Sequence, residues 1–246
     1  MLRGNTAIVT GGSRGIGFAI AGALAEAGCR VLITGRRAEA VEAAANKIGH
    51  AVIPFVWDME KLDEIDVKFK EASELLGRVD IFVNNAGLFA QRNEWDSDSL
   101  LATTLAEWQK VIDVNLSAVF FSMQTVVKYM RENHIKGNIL NITSVAGYEP
   151  TNGAYGASKI AATGLTRGWG KRFAPEGIVI NGIAPGPVAT EMNGWHEGDP
   201  MEHDRIPFGR FATIGEIASL AMNLLSKESE MICGETVILD GAYAIK

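Results

Sequence analysis

Cysteine is nearly absent from this chain: two residues, Cys29 and Cys233, in 246 positions. They match no metal-ligand spacing, and two thiols cannot build the framework of a disulfide-stapled extracellular scaffold. Both are read as small buried apolar side chains in a reducing compartment, and no metal is expected. Proline is sparse as well, at seven. No Pro- or Ser-rich tract, repeat or low-complexity segment divides the sequence, which argues for one folding unit over residues 1–246. Positive charge is in deficit, with 23 Lys and Arg against 29 Asp and Glu, a net of −6. A surface built for nucleic acid or an anionic membrane carries a broad basic field, so neither partner is expected. Any phosphate this chain binds must be met by a few local cations and by backbone amides. No basic-then-apolar leader precedes the first strand, and no unbroken apolar run approaches the ~18 residues that cross a bilayer. The expected location is the cytoplasm.

What the chain does have is apolar residues, 47% of the total, arranged in a repeating order. Short β-branched runs alternate with longer helical patterns. Strands are predicted at Thr6–Thr10, Arg30–Thr34, Ala51–Val56, Val79–Val83, Asn138–Ile142, Val179–Ile183 and Thr236–Leu239. Helices fit between them, notably Gly15–Gly28, Ala38–Ile48, a long one at Leu105–Glu132, Tyr155–Phe173 and Ile214–Leu225. Strands joined by helical crossovers form a parallel sheet, and strands apolar on both faces are covered on both. The predicted fold is α/β: a doubly wound, seven-stranded parallel sheet with helices on both faces. Two stretches break the rhythm, at about 88–104 and 185–211. Both follow strands at their carboxyl ends, where ligands bind in such sheets.

The first strand runs into Thr10-Gly11-Gly12-Ser13-Arg14-Gly15-Ile16-Gly17. Glycines between a strand and a helix let the backbone turn tightly and let a pyrophosphate approach the helix amides, where the dipole favours negative charge. Further on come Asn84-Asn85-Ala86-Gly87, Asn115 on the long helix, Ser144 after the fifth strand, Tyr155 followed four residues later by Lys159, and Pro185-Gly186 followed by Thr190. With these motifs on matching elements in matching order, the sequence resembles the short-chain dehydrogenase/reductase family in its compact single-domain branch. The Rossmann fold is implied, as is hydride transfer between a nicotinamide cofactor and a carbonyl or alcohol carbon.

Several site residues follow. Gly11, Ser13, Arg14, Gly15, Ile16 and Gly17 are expected to cradle the pyrophosphate. An acidic residue at the end of the second strand would hold a ribose 2′-hydroxyl; here Gly35 stands in its place and Arg36 and Arg37 follow. Arginine suits a 2′-phosphate, and cations beside the positive end of a helix are otherwise unfavourable, so the cofactor is read as NADP(H), with Arg14 closing over the same phosphate. Asp58 resembles the family residue that binds the adenine amino group, with Met59 beside it, although a helix N-cap is an alternative for Asp58. Asn84 with Asn85, Ala86 and Gly87 resembles the turn beneath the ribose. Pro185, Gly186, Val188 and Thr190 resemble the segment around the nicotinamide carboxamide.

The reaction needs a proton donor, and a free phenol with a pKa of about 10 is a weak acid at neutral pH. A fixed ammonium favours the phenolate, and Tyr155 and Lys159 share one helix face. The resemblance makes Tyr155 the acid/base, Lys159 the group that lowers its pKa and binds the nicotinamide ribose, and Ser144 the holder of the substrate oxygen. Asn115 is expected to kink the long helix and hold a water that relays protons to Lys159; Thr143 is read as an ordinary strand residue. Tyr148, Met192 and Trp195 are candidate substrate contacts, with Trp95 on the opposite lip, although both tryptophans could instead pack their loops. His196, His203 and the acids around them do not form a metalloprotease motif and are read as solvated, as is the cluster Glu94, Asp96, Asp98; His50 and His134 are read as helix-end residues. The pattern is most like 3-oxoacyl-acyl-carrier-protein reductases, a sugar, polyol or cyclic-ketone dehydrogenase being the alternative. A cofactor-binding sensor without chemistry is disfavoured by the presence of both Tyr155 and Lys159. A homotetramer is implied, packed through the helices that carry Asn115 and Tyr155.

Overall fold

Side chains alternate between the faces of a strand, so a strand apolar at every position must be covered twice. The first strand shows this directly: Ala7 and Val9 enter one hydrophobic cluster while Ile8, between them, enters another. Leu32 and Phe82 face the same way as Ile8; Val31, Ile33, Ile81 and Val83 face the way of Ala7. The computed structural model describes residues 1–49, 52–90 and 96–244. In chain order its main elements are β1 (Thr6–Val9), α1 (Gly15–Glu26), β2 (Arg30–Gly35), α2 (Ala38–Ile48), β3 (Val52–Val56), α3 (Ile65–Leu76) and β4 (Ile81–Asn84). They continue with α4 (Ser97–Leu101), α5 (Leu105–Ile112), a π-helical turn (Asp113–Ser117), α6 (Ala118–Glu132), β5 (Asn138–Ile142), α7 (Ala154–Phe173), β6 (Val179–Pro185), α8 (Ile214–Leu224) and β7 (Thr236–Leu239).

All seven strands are parallel, in the order β3-β2-β1-β4-β5-β6-β7. The order reverses between β1 and β4, whose register pairs Ala7 with Ile81. A crevice opens at such a reversal, at the carboxyl ends of the strands. Helices α1, α2 and α8 bury their apolar sides in the cluster of Ala7; α3 and α6 bury theirs in that of Ile8, where Leu165, Trp169 and Phe173 of α7 also pack.

The predicted doubly wound Rossmann fold is observed, with several local differences. β4 begins at Ile81, preceded by Asp80, whose amide still donates to the Thr6 carbonyl while its carboxylate accepts from the amide of Asn5 and the hydroxyl of Thr6. The long helix is a compound of α5, π-helical turn and α6, with Asn115 inside the π turn as its expected kink requires. By length and composition Leu105–Glu132 could cross a bilayer, but half of it is buried within the fold, as in a core helix. Within the first long loop Asp96 accepts a hydrogen bond from the amide of Ser99 and caps α4, while Asp98 lies in its first turn. Those two acids therefore offset a helix dipole and are not simply solvated. Cys29 is buried, but Cys233 is only partly so. Ala51, His50, Glu94 and Trp95 lie outside the described residues.

Candidate active site

The loop between β1 and α1 folds as a glycine sequence allows and other residues would resist. Gly11 and Gly15 have φ of +64° and +57°, in the left-handed region that side chains disfavour. A Cβ on Gly11 would come within 2.9 Å of the Ala86 backbone, and one on Gly12 within 2.7 Å of Ile33. Gly15 is different: a Cβ there would meet Thr190 Cγ2 at 3.7 Å and nothing nearer. Open space therefore lies over the start of α1, with Thr190 on its far side. Arg14, at the N-cap of α1, makes no side-chain cap bond, and the first turn holds no acid. The positive end of this helix is thus offset by no acid in its first turn, and a loop that lacks Cβ atoms at Gly11, Gly12 and Gly15 stands before it. A pyrophosphate fits both features.

A second loop is bolted beneath the first. Asn85 Nδ2 donates to the carbonyls of Thr10 (2.8 Å) and Gly11 (3.1 Å). The Thr10 hydroxyl accepts from the amides of Asn85 and Ala86, at 3.0 and 3.1 Å. Asn84 does not join this turn by its side chain. It is buried, and its Nδ2 donates to Asn141 Oδ1 at 2.9 Å; Asn141 in turn donates to Thr166.

Past β2 the cations are already engaged. Arg36 Nη1 donates to Glu60 Oε1 at 3.1 Å, and Lys110 Nζ lies 3.4 Å from the same oxygen. Arg37 is the N-cap of α2 without a side-chain cap bond. Asp58 Oδ1 accepts from the amide of Glu60 at 3.0 Å and closes a turn, which leaves a second carboxylate oxygen; it is not the helix N-cap offered above as its alternative, because the next helical turn starts at Leu62 with Lys61 as its N-cap. Met59 is buried in the core beside Trp57. Ser13 approaches Gly35, and Ile16 packs on the core.

The residues expected to transfer the proton come from three elements. β5 ends in Ile142, and Ser144 caps a single 3-10 turn, Val145–Gly147; its Oγ accepts from the amide of Ala146 at 3.2 Å. An accepting hydroxyl keeps its own proton for another partner. Thr143 faces away, donating to the Ile183 carbonyl at 3.1 Å. Tyr155 and Lys159 lie in the first turns of α7, and Lys159 Nζ is 5.7 Å from the Tyr155 ring centre. Lys159 is 6% exposed, and its Nζ donates to the Ile142 carbonyl at 3.1 Å. Burial lowers its pKa to about 8. Asn115, fully buried in the π turn, binds the Leu88 backbone twice: Nδ2 donates to the carbonyl and Oδ1 accepts from the amide, each at 2.9 Å. A Cβ on Gly87 would lie 3.4 Å from Asn115 Oδ1 and 3.8 Å from Lys159 Nζ, so these three residues adjoin. Phe89, unremarked in the sequence, sets its ring against Tyr155, with centres 4.5 Å apart at 62°.

Beyond β6, Gly186 packs on Asp240, where a Cβ would come within 2.6 Å of Asp240 Cβ. Val188 is buried, and its carbonyl accepts from Asn193. Arg14 Nη1 meets Glu191 Oε2 at 2.9 Å, tying this segment to the glycine loop. Met192 is exposed. Tyr148 donates to the Thr236 carbonyl, toward β7, and Trp195 donates to the carbonyls of Asp199 and Pro200 within its own loop. His203 Nδ1 accepts from the Arg205 amide, and its ring meets Phe211. No group of three His, Cys, Asp or Glu that could hold a metal occurs among the described residues.

Sequence reasoning singled out most of these groups but missed Thr10 as a hub, Glu60 as the partner of Arg36, and Phe89. The last carried a signal: an aromatic residue two places beyond Gly87, in a loop at a strand's carboxyl end.

The sequence profile of the short chain dehydrogenase family matches residues 5–199. The chain is 34% identical to a 3-oxoacyl-[acyl-carrier-protein] reductase of Aquifex aeolicus, over 98% of this chain and 97% of that one. It is equally 34% identical to an NADP-dependent (R)-specific alcohol dehydrogenase of Lentilactobacillus kefiri, with the same coverage of both. The crystal structure of a 3-ketoacyl-(acyl-carrier-protein) reductase from Brucella melitensis complexed with NADH superposes with a TM-score of 0.88 at 28% identity, covering 98% of this chain and 99% of that one. Matched along nearly its whole length in both sequence and fold, the chain belongs to the short-chain dehydrogenase/reductase family of oxidoreductases, which bind a nicotinamide cofactor.

Proposed function

We propose that this chain is an NADP(H)-dependent reductase of ketones, most like the 3-oxoacyl reductases, with Tyr155 as acid/base. The observation that carries the reading is the buried Lys159 ammonium one helical turn from the Tyr155 ring, beside Asn115 and Gly87. When bound, the nicotinamide supplies a hydride to the carbonyl carbon. Tyr155 delivers the proton to the carbonyl oxygen, and Ser144, its proton still available, steadies that oxygen as negative charge develops. Lys159 stabilises the phenolate that remains and holds the nicotinamide ribose. The side chain of Asn115 is spent on Leu88. It acts as a positioning residue for the Leu88 loop.

Gly11, Ser13, Arg14, Gly15, Ile16 and Gly17 hold the pyrophosphate, with Asn85, Ala86 and Gly87 beneath the adjoining ribose. Asp58 offers its second oxygen to adenine, beside the Met59 backbone. Pro185, Gly186, Val188 and Thr190 line the carboxamide end. Arg36 and Arg37 receive the 2′-phosphate. The pair between Arg36 and Glu60 does not oppose this, because Arg36 is 60% exposed there and such pairs are worth about 0–1 kcal/mol. A guanidinium also has donors left over for a phosphate. Met192, and less directly Tyr148 and Trp195, border the substrate mouth. We assign the enzyme to the cytoplasm and to a homotetramer, supported by exposed Phe121 and Ile160 on α6 and α7.

The test is Tyr155→Phe. Carbonyl-dependent NADPH oxidation should fall by about 10²–10⁴-fold. NADPH should still quench protein fluorescence, because the glycine loop is untouched. Turnover close to wild type would refute the role of Tyr155.

A further inference from the structure

A phenol that protonates a ketone must lie within hydrogen-bond reach of its oxygen, so whatever flanks the phenol ring also flanks the groups attached to the carbonyl carbon. Among the described residues, Phe89 lies on that flank. Its ring meets the Tyr155 ring edge-on at 4.5 Å between centres. It is 39% exposed, so it is held against Tyr155 while part of its surface remains open. Its seat is fixed from behind: Leu88, the preceding residue, is held at both its amide and its carbonyl by Asn115. The π turn that carries Asn115 thus sets the register of the loop that delivers the aromatic ring. We propose that Phe89 is a specificity-determining residue, forming an apolar wall at the reacting carbon that selects ketones bearing an aryl or alkyl group over polyhydroxylated ones. The proposal rests on the assignment of Tyr155 as proton donor and names the substrate class for that site.

The physical reason is desolvation. A phenyl or alkyl substituent loses only unfavourable hydration against such a wall, whereas a hydroxyl placed there gives up its water and finds no donor or acceptor on the ring. Cutting Phe89 back removes that surface but leaves the phenol and the ammonium in place. The loss should therefore fall on binding, and only for substrates that use the wall.

Reduction of acetophenone and of dihydroxyacetone by NADPH, with wild type, Phe89→Ala and Phe89→Leu, tests this. Wild type should favour acetophenone in kcat/KM. Phe89→Ala should raise the KM for acetophenone by about tenfold or more, the scale of a lost apolar contact, with kcat within about threefold. Dihydroxyacetone should change by less than about threefold, and Phe89→Leu, which keeps most of the apolar bulk, should fall between the other two on acetophenone. Equal losses on both ketones, or a wild type that prefers dihydroxyacetone, would overturn the role of Phe89 while leaving Tyr155 standing. Turnover of neither would overturn the role of Phe89, with Tyr155 judged separately by Tyr155→Phe on a 3-oxoacyl thioester, and unchanged melting temperatures separate these outcomes from misfolding.

Discussion

Burying an ammonium costs folding free energy, and Lys159 has had its pKa lowered to about 8 from 10.5 by that burial. A base whose folded pKa lies below its unfolded one binds fewer protons when folded, so stability rises with pH between the two values. The cost is fully present below about pH 8 and is relieved toward pH 10.5. It amounts to about 3 kcal/mol at most, taking 1.36 kcal/mol per pKa unit. Lys159→Met should therefore stabilise the cofactor-free protein relative to wild type at pH 7, and the advantage should shrink by pH 10. Urea unfolding at both pH values measures it. An advantage independent of pH would mean that Lys159 is neutral throughout. In the proposed mechanism the charge has work to do, beside the Tyr155 phenol.

At the scale of elements, the π turn between α5 and α6 joins fold to chemistry. A regular helix there would turn Asn115 out of line with Leu88. Asn115→Ala would leave the Leu88 amide and carbonyl without the partners they now have, at about 1–3 kcal/mol for each group stranded. The predicted result is a loss of stability of about 2 kcal/mol or more and faster hydrogen exchange at the Leu88 amide, with protection in β1 retained. Unchanged exchange at Leu88 would show that the loop is held by something else. A break in the long helix at Asn115 was implied by the family resemblance, with the asparagine in an apolar helix in mild support, but its π-helical form was not legible. The strands were legible because β1, β2 and β4 are apolar at successive positions, a pattern that double coverage explains. Helix α4 was hidden because five residues carry no periodicity, and its cap, Asp96, looked like one acid among several. The Thr10 hub was hidden too: its partners lie on a loop that only the sheet brings near, and a threonine ending a strand has many ordinary uses. Arg36 was found by its type and position, but its engagement with Glu60 depends on where β3 leaves the sheet.

Over the whole molecule, the sheet places its reversal between β1 and β4, and the loops that carry glycine, asparagine and Thr190 converge there. The opposite requirement falls on the outer faces of α6 and α7, where Phe121 is exposed beside Leu116, Phe120 and Leu165, and Ile160 of α7 is exposed as well. Apolar side chains grouped along two neighbouring helices are stabilised when a second copy covers them. Light scattering at micromolar concentration should give four times the mass of the 26.4 kDa chain. A monomeric mass would refute the tetramer without touching the chemistry. A crystal structure with bound NADP⁺ tests the site's arrangement most directly. The nicotinamide ring should face the Tyr155 hydroxyl, with its ribose on Lys159 and the 2′-phosphate against Arg36 and Arg37. A nicotinamide lying outside the crevice, with Tyr155 turned away from it and no movement able to join them, would contradict it.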